Sequence, residues 1–274
     1  MTNFNQKNIK ITLKNSNLKP KKHYGQNFLI NDKFITKVIE SGDIKKTETI
    51  LEIGPGTGVL TIKLSQKAKK VIVVEKDREM IKILMENLKN LNNIEIIQGD
   101  ILKSEIELPK NYKIIAALPF YITVPIIRKF LELKNQPKDM IFIVQKEVGQ
   151  RICSTPPNMN ILALSVQYYA NVKILNYIPS KAFWPQPKVD SAIIRITPKN
   201  NLKNASFFKL IKAGFSHPRK QIIGNLTKEL KIEREDVEKL LTSTNIKTSQ
   251  RAETLSLQNW LKLAVMFDQN QKKW

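Results

Sequence analysis

Three glycines, Gly54, Gly56 and Gly58, stand two apart in Glu52-Ile-Gly-Pro-Gly-Thr-Gly58, between an apolar run and a segment with helical spacing. Such a turn lets backbone approach a ligand where a β-carbon would collide with it. A dinucleotide fingerprint would read G-x-G-x-x-G and a phosphate loop would end in Gly-Lys-Ser or Gly-Lys-Thr; Thr57-Gly58-Val59 supplies neither. Two acids add to the glycines. Glu75 ends the next apolar run, 21 residues after Gly54, where a carboxylate can accept both hydroxyls of a ribose. Asp100 follows a third run, where a carboxylate can accept the exocyclic amine of an adenine. Either acid alone reads as a solvated strand end. Three matching features at three successive strand ends favour S-adenosylmethionine as the ligand.

The elements that must position these residues alternate between short Ile/Val-rich runs and helical segments, the pattern of a parallel sheet with crossover helices. Strands are expected at Thr49–Ile53, Val71–Glu75, Ile94–Gln98, Lys113–Ala117, Met140–Gln145, Val172–Ile178 and Ala192–Thr197. Helices are expected at Asp32–Glu40, Val59–Gln66, Arg78–Asn90, Val124–Leu133 and Asn160–Tyr169. The last two strands have no long helix between them, so they should close one edge of the sheet as an antiparallel hairpin. After Pro198 only helical patterns remain, at Phe207–Phe215, Gln221–Leu230, Glu235–Thr242 and Leu257–Phe267. The plan is α/β: a Rossmann-like, seven-stranded class I methyltransferase domain over residues 23–200, then a small all-helical domain over 201–274. Residues 1–22 hold six Lys and no acid, and read as a basic arm.

The chain has 274 residues, 46 basic against 24 acidic, for a formal charge of +22. So large an excess points to a polyanionic partner, against the alternative of a Lys-rich proteome whose solvated faces carry Lys by default. Cys153 is the only cysteine, and His23 and His217 the only histidines; this excludes an intrachain disulfide and leaves no expected metal centre. The chain holds no apolar run near the eighteen residues of a membrane span, and Met1–Asn17 has no signal-peptide core. A cytoplasmic monomer with no membrane association is expected.

Eight segments in order resemble the ribosomal RNA adenine dimethyltransferases, which modify two adjacent adenosines near the 3′ end of small-subunit (16S) rRNA. They are Lys22-His-Tyr-Gly-Gln-Asn-Phe-Leu29, the glycine loop, Val74-Glu-Lys-Asp77, Gly99-Asp-Ile-Leu102, Leu118-Pro-Phe-Tyr-Ile-Thr123, Phe183-Trp-Pro-Gln-Pro-Lys-Val-Asp-Ser191, Phe215-Ser-His-Pro-Arg-Lys220 and Arg251-Ala-Glu-Thr-Leu-Ser256. The resemblance implies that Asn27 and Leu29 close over S-adenosylmethionine, joining Gly54, Gly56, Gly58, Glu75, Asp100 and residue 117. Asn31 or Asp32 can also cap the helix that follows, so this segment has a structural reading beside the functional one.

One position departs from the family pattern. The fourth motif of the family begins with Asn, whose side-chain oxygen accepts a hydrogen bond from the target amine; this chain has Ala117-Leu118-Pro119-Phe120. Ala117 cannot accept that bond. Methyl transfer asks the enzyme to position the amine and stabilise the charge developing on nitrogen, so the lost contact should cost on the order of 3 kcal/mol, about a hundredfold in rate. Ala117 reads either as a substitution introduced to trap a complex, which the intact remaining motifs favour, or as a natural loss in a protein retained for binding. The chain is expected to bind cofactor and methylate slowly. By the resemblance, Phe120 and Phe183 stack on the two faces of an unstacked adenine. Without that context both rings would read as core residues at strand ends, but the surrounding prolines favour exposed loops.

The candidate RNA surface comprises the Lys-rich arm, Arg128, Lys129, Arg151, Arg219 and Lys220, cations that neutralise phosphate without reading sequence. Two other functions compete. A macrolide-resistance type methyltransferase acting on large-subunit rRNA shares the glycine loop, the fourth motif and the Phe-containing loop, but the segments 215–220 and 251–256 look more like the small-subunit family. A non-catalytic small-subunit assembly factor would be consistent with Ala117.

Overall fold

The computed structural model describes residues 19–21, 25–199 and 204–270, and the side chain of Phe120 lies outside what it describes. Most of the expected basic arm, His23 and the segment 200–203 lie outside the described residues. The chain divides into two compact units. One comprises the residues up to Gly149 together with Asn171–Pro198; the other comprises Gln150–Ala170 and the residues from Lys199 onward.

The first unit is built on a seven-stranded sheet of order β4-β3-β2-β5-β6-β9-β7. The strands are β2 (Thr49–Ile53), β3 (Lys70–Glu75), β4 (Ile94–Gln98), β5 (Lys113–Ala117), β6 (Asp139–Gln145), β7 (Ala170–Ile178) and β9 (Ser191–Pro198). Every expected strand is present. β2 pairs in parallel with β3 and β5, β3 with β4, and β5 with β6, whereas β9 runs antiparallel to β6. The continuous Ile/Val runs follow from burial on both faces: Ile50, Leu51, Val71, Val73, Ile114, Ile115, Phe142 and Ile193 are all fully buried.

Helices α1 (Asp32–Ser41), α2 (Val59–Ser65), α3 (Arg78–Leu88) and α4 (Thr123–Glu132) connect the strands. Asn31 caps α1, its side chain accepting from Lys33 N at 3.1 Å. Asp77 caps α3 in the same way, from Glu79 N at 3.1 Å. The chain runs from β2 outward through β3 to β4, then returns to place β5 on the other side of β2. This reversal opens a crevice beyond the carboxyl ends of β2 and β5, the place where α/β sheets receive ligands.

A second, two-stranded antiparallel sheet, not among the expected elements, is formed by β1 (Phe28–Leu29) and β8 (Phe183–Trp184), with Phe28 opposite Trp184 and Leu29 opposite Phe183. A further helix outside the expected set, α5 (Lys146–Ile152), follows β6 directly.

In the second unit α6 (Ile161–Tyr169) joins α7 (Ala205–Gly214), α8 (Ile222–Leu230), α9 (Arg234–Ser243) and α10 (Leu257–Asn270). A boundary at residue 200 therefore leaves 150–170 on the wrong side. Aromatic packing explains the excursion: the Tyr168 ring lies 4.6 Å from Phe207 and 5.4 Å from Phe208, and Tyr169 stacks on Phe208 at 5.8 Å. Among the described residues, no helix is long and apolar enough to cross a membrane.

Candidate functional site

The crevice at the switch point is a cavity of about 290 Å³ in the first unit. Ten of the residues expected in the site line it: Asn27, Leu29, Gly54, Gly56, Glu75, Asp100, Ala117, Leu118, Pro119 and Phe183. They come from six places in the chain, brought together because β2, β3, β4 and β5 all end at this side of the sheet.

Gly54 follows β2 with φ +66°, a conformation L side chains rarely adopt, and a β-carbon built on it meets nothing within 4 Å. Gly54 N donates to Val74 O at 2.9 Å, so the turn is tied to the neighbouring strand. The backbone is thus held with open space where a side chain would be, as a cradle for a ligand requires. Gly58 does not line the cavity. It is the N-cap of α2 and faces Leu84 and Leu88 of α3, so its part is in the close packing of these two helices.

Glu75, at the end of β3, is buried, and its Oε1 accepts Asp77 N at 2.8 Å. Burial pushes its pKa up, against the backbone amides of Asp77, Gly56 and Lys76, which favour the charged form. A second acid shares the cavity wall: Glu52, on β2, is 2% exposed and its Oε2 has no hydrogen-bond partner among the described residues. Desolvation raises its pKa to about 8, with the Glu75 charge adding to the shift; the Thr61 hydroxyl opposes it without reaching hydrogen-bonding geometry. Glu52 opens the glycine motif, but only the fold shows it buried beneath the ligand space.

Asp100 follows β4, is partly exposed, and holds Leu102 N on Oδ1 and Lys76 Nζ on Oδ2, each at 3.0 Å. Burial raises its pKa, but the Lys76 and Leu102 hydrogen bonds and the charges of Lys76 and Lys103 outweigh it, and the group stays below its usual value. Its oxygens retain lone pairs for an exocyclic amine.

Ala117 ends β5 on the other wall. Leu118 is buried and donates its N–H to Ile143 O at 3.1 Å; Pro119 O accepts from Ile122 N and from the Thr123 hydroxyl. A 3-10 turn over Phe120–Ile122 leads into α4. Phe183 corrects the expectation of an exposed loop: it lies in β8, 6% exposed, packed in the core yet lining the cavity. Pairing with Leu29 brings it there, because strand register places the two residues directly opposite each other.

The candidate RNA cations separate. Arg128 is exposed and pairs with Glu132 at 3.1 Å, one turn along α4. Lys129 donates to Ile101 O and Ser104 O at 2.6 and 2.8 Å. This ties down the loop after β4 and turns the Lys129 ammonium inward onto backbone carbonyls. Arg219 and Lys220 are exposed in the second unit, in the loop before α8, which the buried Asn225 side chain braces from Gly214 O and His217 O. Arg151 is exposed in that unit as well.

The family model for ribosomal RNA adenine dimethylases matches residues 17–267. A ribosomal RNA small subunit methyltransferase A from Dehalococcoides mccartyi is 40% identical over 262 residues, covering 92% of this chain and 90% of that protein. The protein of the same name from Clostridium acetobutylicum is 37% identical, covering 96% and 98%. Among solved structures, a dimethyladenosine transferase from Plasmodium falciparum superposes with TM-score 0.77 at 25% identity, covering 88% of this chain and 98% of that one. The 23S rRNA methyltransferase ErmE gives TM-score 0.74 at 26% identity, covering 88% and 99%.

Proposed function

Since the chain belongs to the ribosomal RNA adenine dimethylase family, we propose that it transfers methyl groups from S-adenosylmethionine to the N6 amines of two adjacent adenosines near the 3′ end of 16S rRNA. Its partner is the small ribosomal subunit, and it works in the cytoplasm as a monomer. One observation carries the reading: the glycine turn, Glu75 and Asp100 on one side, and Ala117–Pro119 with Phe183 on the other, line a single cavity.

The residues present fit the cofactor. Gly54 leaves the space a β-carbon would fill, Glu75 offers a carboxylate fixed from behind by Asp77 N for the ribose hydroxyls, and Asp100 offers one for the adenine amine. Asn27 and Leu29 cover the pocket. When bound, the cofactor supplies an electrophilic methyl group on a sulfonium.

The remaining work falls to the chain. Phe183, with Phe120, stacks on the target base, and the backbone at Leu118–Pro119 accepts a hydrogen bond from its amine. Ala117 leaves the second acceptor out, so the lone pair of the amine is aimed less well and transfer is slow. Arg128, Arg219 and Lys220 neutralise phosphates.

ErmE superposes nearly as well as the dimethyladenosine transferase, which gives the large-subunit alternative a specific observation. The similarity to small-subunit enzymes over the whole chain favours the 16S reading. The test is mass spectrometry of rRNA from under-methylated small and large subunits incubated with this chain and with its Ala117→Asn version. Dimethyladenosine in 16S rRNA, faster with Asn, is expected; modification of 23S rRNA alone, or of neither rRNA by either protein, would overturn the proposal.

A further inference from the structure

Asp77 joins two parts of the cofactor pocket that lie far apart in sequence. Its backbone N–H donates to Glu75 Oε1 at 2.8 Å. Its carboxylate, 5% exposed, caps α3, accepts Gln26 Nε2 on Oδ2 at 3.1 Å and holds Lys21 Nζ on Oδ1 at 3.0 Å. Lys21 Nζ also reaches Glu79 Oε2 at 2.5 Å. The Gln26 side chain faces both ways, because its Oε1 accepts Lys21 N at 2.8 Å while its amide donates to Asp77.

Gln26 immediately precedes the residues that cover the pocket. Beyond it the covering segment is held by the two-residue ladder of β1 on β8 and by Ile30 N donating to Ala182 O at 2.9 Å. So short a ladder is a weak fastening by itself. At its other end Gln26 and Lys21 tie the cover to the Asp77 carboxylate.

Resting on the reading of this pocket as the S-adenosylmethionine site, we propose that Gln26 is a positioning residue that latches the cover Asn27–Leu29 to Asp77. The cover and the ribose acceptor Glu75 are then set by one residue. An amide bound to a buried carboxylate is a charge-assisted hydrogen bond, and its partner keeps its cap, so Gln26 can be changed without removing the α3 N-cap. Opening the latch lets the cofactor leave; closing it holds Glu75 and the cover in one arrangement.

The experiment measures release of tritiated S-adenosylmethionine in a chase assay, thermal stability, and hydrogen exchange of the peptide containing Gly25–Ile30. The proteins are the chain itself, Gln26→Leu, Gln26→Glu, and Gln26→Glu combined with Asp77→Asn. Gln26→Leu should release cofactor about tenfold faster, the loss of one hydrogen bond to a charged group, with faster exchange in the cover and a Tm lowered by no more than about 2–4 °C. Gln26→Glu, which sets two carboxylates together, should release faster still. The double variant restores the pair with donor and acceptor exchanged, and should return release to within about threefold of the parent.

If the parent holds cofactor and both single variants release it at the parental rate, the latch is overturned while the cofactor site stands. If release rises only along with a lost Tm, and the double variant restores neither, Gln26 is a folding residue and the proposal is wrong. Failure of the parent to bind S-adenosylmethionine would overturn the cofactor reading, and the latch with it.

Discussion

The ring of Phe28 lies 2.8 Å from the position a β-carbon on Gly56 would occupy, so the glycine turn and the segment over the pocket fit only because residue 56 has no side chain. Gly54 has the same left-handed backbone but faces open space. Alanine at either position carries backbone strain of about 1–2 kcal/mol. Gly56→Ala must also displace Phe28, and should lose more stability than Gly54→Ala. Gly54→Ala should lose cofactor with little further cost to the fold. Calorimetric titration with S-adenosylmethionine beside thermal unfolding separates the two; equal stability losses would contradict the packing argument.

Asparagine at position 117 supplies the acceptor the fourth motif lacks. Ala117→Asn should raise the single-turnover methylation rate about a hundredfold and change cofactor affinity by less than about threefold. Quench-flow transfer to under-methylated small subunits checks this. Equal rates would show that the backbone acceptors alone position the amine.

Glu52 gives the free protein a pH dependence. Its folded pKa, about 8, lies above its ordinary value of 4.5, so the folded state binds more protons than the unfolded state between these pH values. The stability that goes with the neutral, buried carboxyl is complete below pH 4.5 and is lost as pH rises through about 8. Glu75, also raised, acts in the same direction; Asp100, lowered, acts in the opposite one. Glu52→Gln should remove most of the decline and raise Tm at pH 8.5 by roughly 8 °C, with little change at pH 5. Parallel pH–Tm profiles for the two proteins would refute the assignment.

At the opposite end of the sheet, Lys113 Nζ meets Glu48 Oε2 at 2.9 Å, Asp43 O at 2.7 Å and Gly42 O at 3.0 Å, with both charged side chains buried. Lys113→Ala would leave the buried Glu48 carboxylate to Lys45 N at 2.9 Å and the more distant Lys138 Nζ at 3.7 Å, and should cost about 3 kcal/mol in denaturant unfolding, the lower end for breaking a buried pair. A cost below about 1 kcal/mol would mean that the pair behaves as a surface contact.

Arg219→Ala and Lys220→Ala should each weaken small-subunit binding and reduce its salt slope by about one, leaving S-adenosylmethionine affinity unchanged. Binding measured across a salt series decides this, and a flat response in the parent would remove the phosphate role.

Much of this was legible in the sequence because the chemistry sits at strand ends and buried parallel strands are written as Ile/Val runs. Gly54, Glu75, Asp100 and Ala117 could be located by reading where those runs stop. What stayed hidden depends on partners distant in sequence. β1 and β8 are two residues long and leave no periodicity, so the burial of Phe183 and its register with Leu29 could not be foreseen. Lys113 reads as the polar start of a strand until Glu48 closes over it. Tyr168 and Tyr169 read as the end of a sheet-covering helix, yet their rings pack on Phe207 and Phe208. Gln26 and Asp77 stood in two of the recognised segments, but their contact spans 51 positions.

Leu29 and Phe183 face each other in a ladder of four residues, so the proposed cover of the donor and the proposed stacking surface of the acceptor share one small piece of structure. Two ligands that bias the same element are thermodynamically linked, and the linkage is reciprocal. However strongly bound cofactor improves the grip on an RNA base, the base must improve retention of cofactor by the same factor. With a positive linkage, each exchange of spent donor for fresh would loosen the hold on the adenosine, and the two methyl additions to one base would be separate visits.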